Sequence, residues 1–468
     1  MKMHLQDDLK ASIVVFLVAL PLCLGIALAS NAPLSSGLIA GIIGGIVVGF
    51  FSHSEISVSG PAAGLTVIVA SGIAKVGGYQ TFCLAVMTAG CLQLLFGFLR
   101  GGAIGDYFPT AVIKGMLAAI GCILIIKQLP NALGLPDGYS SFDRQNYGIL
   151  LISIVSLAIM MTWDKLALKG IRFFKMVPGA LIAVLVSVLL NQLFQLVDAS
   201  KLVTLPAAMF NDLQLPNFSN LNLSVIGVGF TIAVVASLET LLCIDAADKL
   251  DPYQRKTNKN RELLAQGIGN TLSGFVGGLP ITAVIVRTTA NVSAGARSKY
   301  SAIMHGGWLF LCVLLIPGLL NLIPLATLAC VLLLVGYKLT KPSFFVDMKK
   351  RGWDQLFIFC TTIAVILVTD LLVGIFTGLA VAILFELNKP AIKCVEVVHE
   401  EKHTHLKFVK NVSFLHKAQL AKVLNDIPDG RIIHIHGYSL VRVHIDVHEL
   451  ITAFHAEASK KDMEIIFK

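Results

Sequence analysis

The sequence predicts an all-α, polytopic membrane protein with a small α/β unit at its C-terminal end. Three observations carry this. The 468-residue chain is 56% hydrophobic and only 14% charged, with mean hydropathy +0.79, where a soluble domain is near half apolar and about a quarter charged. The apolar residues form long runs: 11–29 is apolar apart from Ser12, and 223–242 carries one charge, Glu239. Runs of about 20 apolar residues suit a bilayer core of ~30 Å. From about residue 391 the pattern changes, and nine of the twelve histidines lie beyond that point.

Taken in order, spans are expected at 11–30, 34–51, 60–74, 81–99, 108–128, 146–163, 176–197, 222–244, 261–277, 280–293, 299–318, 321–337, 354–370 and 372–388, about fourteen in all, the third and tenth short. The first run is long and followed directly by more spans, so it reads as a span and not a cleaved leader. With the N-terminus inside, the loops of one side receive seventeen Lys and Arg. The other side receives four: Lys75, Lys127, Arg144 and Lys201. The positive-inside rule then places both termini in the cytoplasm of a cell membrane. The net charge of +9 thus follows loop topology and does not indicate nucleic acid. The nine cysteines sit mostly in apolar runs, with no CxxC pair and no metal-ligand spacing, as small buried fillers do.

The expected domains are 1–390, transmembrane, and 391–468, cytoplasmic. In the tail Leu406 and Phe408 alternate with polar neighbours as in a strand. Leu420, Leu424 and Ile427 have helical spacing, and Arg431–His436 reads as a strand. Val447, Leu450, Ile451 and Phe454 line a helix face, and Met463–Phe467 reads as a last strand. Its histidines read as ordinary surface residues.

Two segments hold most of the chemistry: 57–67, with Ser59, Gly60, Pro61, Ala62, Ala63, Gly64 and Thr66, and 277–287, with Pro280, Thr282, Ala283, Val284, Ile285 and Arg287. Both open with glycine and proline and then run apolar for too few residues to span easily. Pro61 and Pro280 lie 219 positions apart, and the first span and the one starting near 222 differ by about the same offset, which points to a repeat of seven spans with the second copy inverted. Paired, interrupted short spans at matching positions are the sequence mark of a transporter site. A half-helix starting at mid-membrane leaves its first N–H groups unpaired and presents about half a positive charge. Two such starts facing each other bind an anion without a full charge. Ala62, Ala63, Gly64 and Ala283 let an ion approach the backbone, and Thr66 and Thr282 can add hydroxyl donors. The competing reading is two kinked helices packed through small residues.

Two ionisable residues lie inside spans, where charge is costly and functional by default. Arg287 would add positive potential beside an anion. Glu239 would carry a coupling proton or help hold a cation. Alternatively the two form a structural ion pair, or Glu239 lies at the interface near Asp245. Lys114 reads as a snorkelling lysine without a role.

These motifs resemble the SulP, or sulfate permease, family of anion transporters. The match rests on Ser59-Gly60-Pro61, on Val112 to Gly115 with Lys127 to Pro130, and on Leu238 to Leu242. It is strongest from Asn260 to Asn270 and on through Gly277 to Pro280 and Arg287 to Arg297. The tail is similar to a compact STAS domain, with His444-Ile445-Asp446 at the start of its second helix. The resemblance implies two inverted seven-span repeats arranged as core and gate domains, an elevator movement, a homodimer, and substrate between the third and tenth spans. Residue by residue, it assigns Glu239 the acidic position of the eighth span, Arg287 a basic position of the tenth, and Thr66 with Thr282–Ile285 the anion-contacting helix starts. Leu22 stands where many relatives have Gln. The branch this chain resembles is associated with bicarbonate uptake. Sodium-coupled members have Asp at the Glu239 position and Thr one turn later, where this chain has Cys243, and a thiol is a poor ligand for a hard cation.

The expectation is therefore a secondary transporter of a small inorganic anion, bicarbonate first, with sodium or a proton as coupling ion near Glu239 and Cys243. The alternatives are a proton-coupled sulfate or dicarboxylate carrier, an anion channel or exchanger, and an anion sensor signalling through the tail. No nucleophile–base signature, phosphate loop or metal cluster suggests an enzyme, and no cofactor is expected.

Overall fold

The computed structural model describes residues 4–135, 144–169, 174, 177–206, 213–387, 395–400, 403–408, 412–438, 441, 443–458 and 463–467. The expected domain boundary at 390/391 and two of the loop cations, Arg172 and Lys175, lie outside them. Two compact units result: Met1–Gly102 with Ile120–Thr340, and Ala103–Ala119 with Lys341–Lys468.

The first unit is helical. Its helices are α1 (Leu5–Ala29), α2 (Leu34–Ile43, continued through a π turn at Gly44–Val48 to Phe51), α3 (Thr66–Val76) and α4 (Tyr79–Phe98). Then α5 (Thr110–Leu133) begins in the second unit and enters the first at Ile120. There follow α6 (Arg144–Leu168), α7 (Gly179–Phe194), α8 (Leu223–Leu250), α9 (Lys259–Phe275), α10 (Ile285–Ser293), α11 (Tyr300–Leu315) and α12 (Leu325–Leu339). The helix starts follow local chemistry. Asn222 caps α8 by accepting from the Val225 N–H, and Asn258 caps α9 by accepting from Asn260 and Arg261. Among the described residues, six helical stretches are long and apolar enough to cross a bilayer: Leu5–Ala29, Leu34–Phe51, Tyr79–Phe98, Thr110–Leu133, Leu223–Leu250 and Leu325–Arg351. Other apolar helices have 10–17 residues, a rise of ~15–25 Å at 1.5 Å per residue. Large apolar side chains face outward, among them Phe98, Leu189, Phe194, Leu223 and Leu315. Such a surface would drive aggregation in water and is what lipid requires.

Two three-residue strands sit among these helices. β1 (Ser59–Pro61) pairs antiparallel with β2 (Ile281–Ala283), Gly60 opposite Thr282, and all six residues are buried. β1 leads through a 3₁₀ turn at Ala63–Leu65 into α3, and β2 leads through Val284 into α10. The helices begin at Thr66 and Ile285, again 219 positions apart.

In the second unit, α13 (Pro342–Arg351), α14 (Trp353–Val368) and α15 (Leu371–Leu387) precede a four-stranded sheet ordered β3 (Val395–His399), β4 (His403–Phe408), β5 (Ile432–His436), β6 (Glu464–Phe467). β3 and β4 are antiparallel and the other pairs parallel. Helices α16 (Lys417–Asn425) and α17 (Ile445–Ala458) pack Leu420, Leu424, Val447, Ile451 and Phe454 onto Leu406, Phe408, Ile433 and Ile435. The strands and helices read from the tail sequence are present, and β3 is an addition. Lys114 does not snorkel: its Nζ lies 2.6 Å from Asp347 Oδ2. Asp446, in the first turn of α17, accepts from the Thr110 N–H (3.1 Å) and hydroxyl (2.8 Å), and so caps the start of α5.

Candidate anion-binding site

The two interrupted segments meet. Both β1 and β2 are too short to hold each other by ladder bonds alone, and polar side chains from three helices fasten them. Asn270 of α9 grips Ile281 on both sides: its Oδ1 accepts the Ile281 N–H at 2.6 Å and its Nδ2 donates to the Ile281 carbonyl at 2.9 Å. The same Nδ2 donates to Gln93 Oε1 at 2.7 Å, and Gln93 donates to Ser237. One turn earlier on α9, Gln266 donates to Ser59 Oγ at 2.8 Å and to Glu262 Oε1. Glu262 in turn accepts from the Ser52 hydroxyl at 2.6 Å. Thr240 of α8 accepts the Ala283 N–H at 3.2 Å. Past the strands, Val284 donates to the Val58 carbonyl, and Val58 donates to the Thr288 hydroxyl. All of these residues but the half-buried Val284 are buried, so an unmade bond would cost its full desolvation. The network makes the helix starts rigid.

The predicted residues are placed as follows. Gly60 and Pro61 lie in β1, Ala62 is extended, and Ala63 and Gly64 form the turn before Thr66, the first residue of α3. Thr282 and Ala283 lie in β2. Val284 caps α10, Ile285 opens it and Arg287 is its third residue. The strands pair antiparallel, so the segments that lead into α3 and α10 run in opposite senses, as an inverted repeat requires. Ala63 and Val284 are half-buried and Ile285 and Val286 are exposed, while Ala62, Gly64, Ala283 and Arg287 are enclosed. The hydroxyls differ from expectation. Thr66 donates to the Ala63 carbonyl at 2.8 Å and Thr282 to the Ala283 carbonyl at 3.2 Å. A hydroxyl has one hydrogen, so the donors left for an anion are backbone amides of the first helical turns.

Arg287 is fully buried. Its Nη2 donates to Cys23 Sγ at 3.2 Å, a weak acceptor, and among the described residues Nε and Nη1 have no hydrogen-bond partner. The guanidinium lies against Gly60, where a Cβ would collide with it. The Glu239 carboxylate lies against Gly64, whose Cβ would stand 2.5 Å from Oε1, and Oε2 has no partner. Each glycine is thus a close approach between a backbone and a charge. Neither residue is in an ion pair within the described residues, so the ion-pair reading is set aside. Cys243, one turn after Glu239 on α8, puts its thiol 3.9 Å from the Thr288 hydroxyl and packs with Leu241, Ile244, Leu263 and Ala283. Leu22 is buried against Ala132, Met160, Ala183 and Val331, and Cys23, one position along, reaches Arg287 instead.

Sequence reasoning missed Cys23, Gln93, Glu262, Gln266 and Asn270. One signal for them existed: Glu262, Gln266 and Asn270 recur every four residues, a polar stripe along a helix in a membrane protein. Cys23 gave none.

The model of the sulfate permease family matches residues 5–364. The chain is 29% identical over 422 residues to a putative sulfate transporter, YvdB, of Bacillus subtilis, covering 85% of this chain and 76% of that one. It is 27% identical over 396 residues to the bicarbonate transporter BicA of a Picosynechococcus species, covering 81% and 69%. Among solved structures it is similar to the transmembrane domain of a cyanobacterial BicA, with TM-score 0.66, 26% identity, and 81% of this chain and 98% of that one covered. It shares its fold with SLC26A9, with TM-score 0.71, 15% identity, and 99% and 84% covered. With its family model spanning most of the length and its two helix starts set around a buried cation, this chain belongs to the sulfate permease family of transporters.

Proposed function

We propose that the protein is a secondary transporter of bicarbonate, with about fourteen crossings and both termini in the cytoplasm. It works as a homodimer by an elevator movement of a core domain carrying the two helix starts, with the C-terminal sheet as a STAS-like domain. The observation that carries the reading is the buried Arg287 guanidinium, which lacks a carboxylate and keeps two nitrogens unpartnered beside two helix starts. A buried lone cation costs several kcal/mol, and an anion on the adjoining amides of Ala63 and Gly64 and of Ile285–Arg287 offsets it.

Charge balance supports a monovalent anion. With Glu239 protonated, one bicarbonate neutralises Arg287. With Glu239 ionised, one bicarbonate and one sodium ion do so. Sulfate would leave a net negative charge in either arrangement, at a site where unbalanced charge is expensive. A similar protein bears the name bicarbonate transporter, although others are named for sulfate. Sodium at Glu239 is the first coupling scheme. A proton is the second, and the observations favouring it are the unpartnered Glu239 Oε2 and the apolar placement of the Cys243 thiol, since sodium prefers several oxygen ligands.

Labelled bicarbonate uptake into proteoliposomes, with and without an inward sodium gradient and with sulfate as competitor, tests the reading. Sodium-stimulated uptake that sulfate leaves unchanged is expected of the first scheme, and uptake driven by a proton gradient of the second. Equal flux of sulfate, or no bicarbonate flux, overturns the bicarbonate assignment.

A further inference from the structure

The sequence scatters histidines through the tail, and the sheet gathers four of them. In β4, Thr404, Leu406 and Phe408 are buried, and His403, His405 and Lys407 alternate with them on the other face. In β5, Ile433 and Ile435 join the core, and His434 and His436 take the same face as the β4 histidines. Parallel pairing sets His405 opposite His434, and the side chains then meet diagonally. His403 Nδ1 is 2.9 Å from His434 Nε2, and His405 Nδ1 is 2.9 Å from His436 Nε2. The geometry repeats: Nδ1 comes from β4 and Nε2 from β5 each time. The rings stack, with centroids 5.1 Å apart for each pair and 4.7 Å between His405 and His434.

Two facing imidazole nitrogens at that distance share one proton. They are also close to the separation that a metal ion imposes. Zinc–nitrogen bonds of ~2.0–2.1 Å at a tetrahedral angle put two ligand nitrogens ~3.3 Å apart, so a small ring rotation opens each pair enough. For the ion to enter, both facing nitrogens must give up the shared proton, so that the β5 ring carries its hydrogen on Nδ1 and the β4 ring on Nε2. At His405 that nitrogen faces Glu400 Oε2 at 3.8 Å, the kind of carboxylate partner that fixes the tautomer of a metal-bound histidine. Imidazole nitrogen suits zinc, copper and nickel.

We propose that the His403–His434 and His405–His436 pairs are two bis-imidazole clamps for first-row divalent metal ions of the zinc, copper and nickel class. Among the described residues no three His, Cys, Asp or Glu side chains converge on one metal position. Each clamp therefore supplies two ligands, and water completes the shell. Structural zinc sites use four protein ligands, so these clamps bind and release ions freely, and they do so whichever anion is transported.

The test uses the full-length protein, free of any affinity tag and stripped of metal, in detergent. Titrated with Cu²⁺, it should take up two ions per chain with dissociation constants in the micromolar range. Each should show the electron paramagnetic resonance pattern of two coordinated imidazole nitrogens. H403Q and H436Q should each lose one ion, and the double variant both, while H455Q keeps two. The single variants answer the question if the double variant fails to fold. Two ions retained in both single variants, or no binding tighter than about 1 mM by the wild-type protein, overturns the proposal.

Discussion

Replacing Arg287 by Met should make the unliganded protein more stable and the transporter worse. The guanidinium is fully buried, one nitrogen reaches only the Cys23 thiol, and Nε and Nη1 reach nothing. Each unpartnered buried donor costs ~1–3 kcal/mol, so two nitrogens cost about 2–6 kcal/mol. Insertion scales independently give ~2.5–3.5 kcal/mol for an arginine at the centre of a membrane helix. Both estimates place the gain from methionine, a flexible apolar chain of similar length, near 3 kcal/mol. Against this, a hydrogen bond to a charged group contributes ~1.5–3 kcal/mol, so losing it weakens anion affinity by about 10- to 150-fold. Thermal unfolding in detergent, with and without bicarbonate, and uptake into proteoliposomes give both numbers. The expected result is a higher melting temperature without bicarbonate, no further rise on adding it, and a large loss of uptake. A variant that melts lower than wild type while uptake persists would show that Arg287 is a structural residue, and the charge argument would fail.

Other consequences follow from the same geometry. Asn270→Leu orphans the Ile281 N–H and carbonyl and Gln93 Oε1, a cost of about 3–9 kcal/mol at ~1–3 kcal/mol per group. Asn270→Asp keeps the acceptor for Ile281 and should fall between it and wild type in melting temperature. Gly64→Ala puts a Cβ 2.5 Å from Glu239 Oε1, and Gly60→Ala puts one onto Arg287. Each should cut uptake at least about tenfold, whereas Gly227→Ala and Gly307→Ala, with nothing within 4 Å, should stay within about twofold. Just beyond α8, burial raises the Asp251 carboxyl, but the Arg255 guanidinium and the Tyr253 and Arg255 amides outweigh it and hold the group below its usual value. That stability is present above the unfolded value of ~3.9 and is lost as pH falls through the folded one. The wild-type melting temperature should therefore drop below about pH 4 by more than that of Asp251→Asn.

The legible parts of the sequence were those whose cause is local. A bilayer demands apolar length, so a helix overlies each apolar run, although α1, α5, α6 and α8 extend beyond the expected ends and α13 had no expected span. Glycine and proline marked both short segments, but as helices from about 60 and 280; the structure makes Ser59–Pro61 and Ile281–Ala283 extended and starts the helices at Thr66 and Ile285, which keeps the spacing of 219. In the tail, alternation and helical spacing marked all but β3. Lys114 was misjudged because its partner, Asp347, is 233 positions away. The hydroxyls of Thr66 and Thr282 were expected to face an ion, and local backbone geometry turned both onto carbonyls.

The sequence by itself determined that the chain is helical and lipid-facing, where its two short spans lie, and that Arg287 and Glu239 stand inside spans. Each is set by the transfer of nearby residues out of water or by the torsional limits of single residues. Only the tertiary structure decided that Arg287 meets Cys23 and Gly60 and not Glu239, and that Asn270 and Gln266 hold β2 and β1. It alone decided that His403 and His405 pair with His434 and His436. Those choices depend on which backbones approach within about 3 Å, the reach of a hydrogen bond. That approach is set by packing between segments hundreds of positions apart, which no local pattern records.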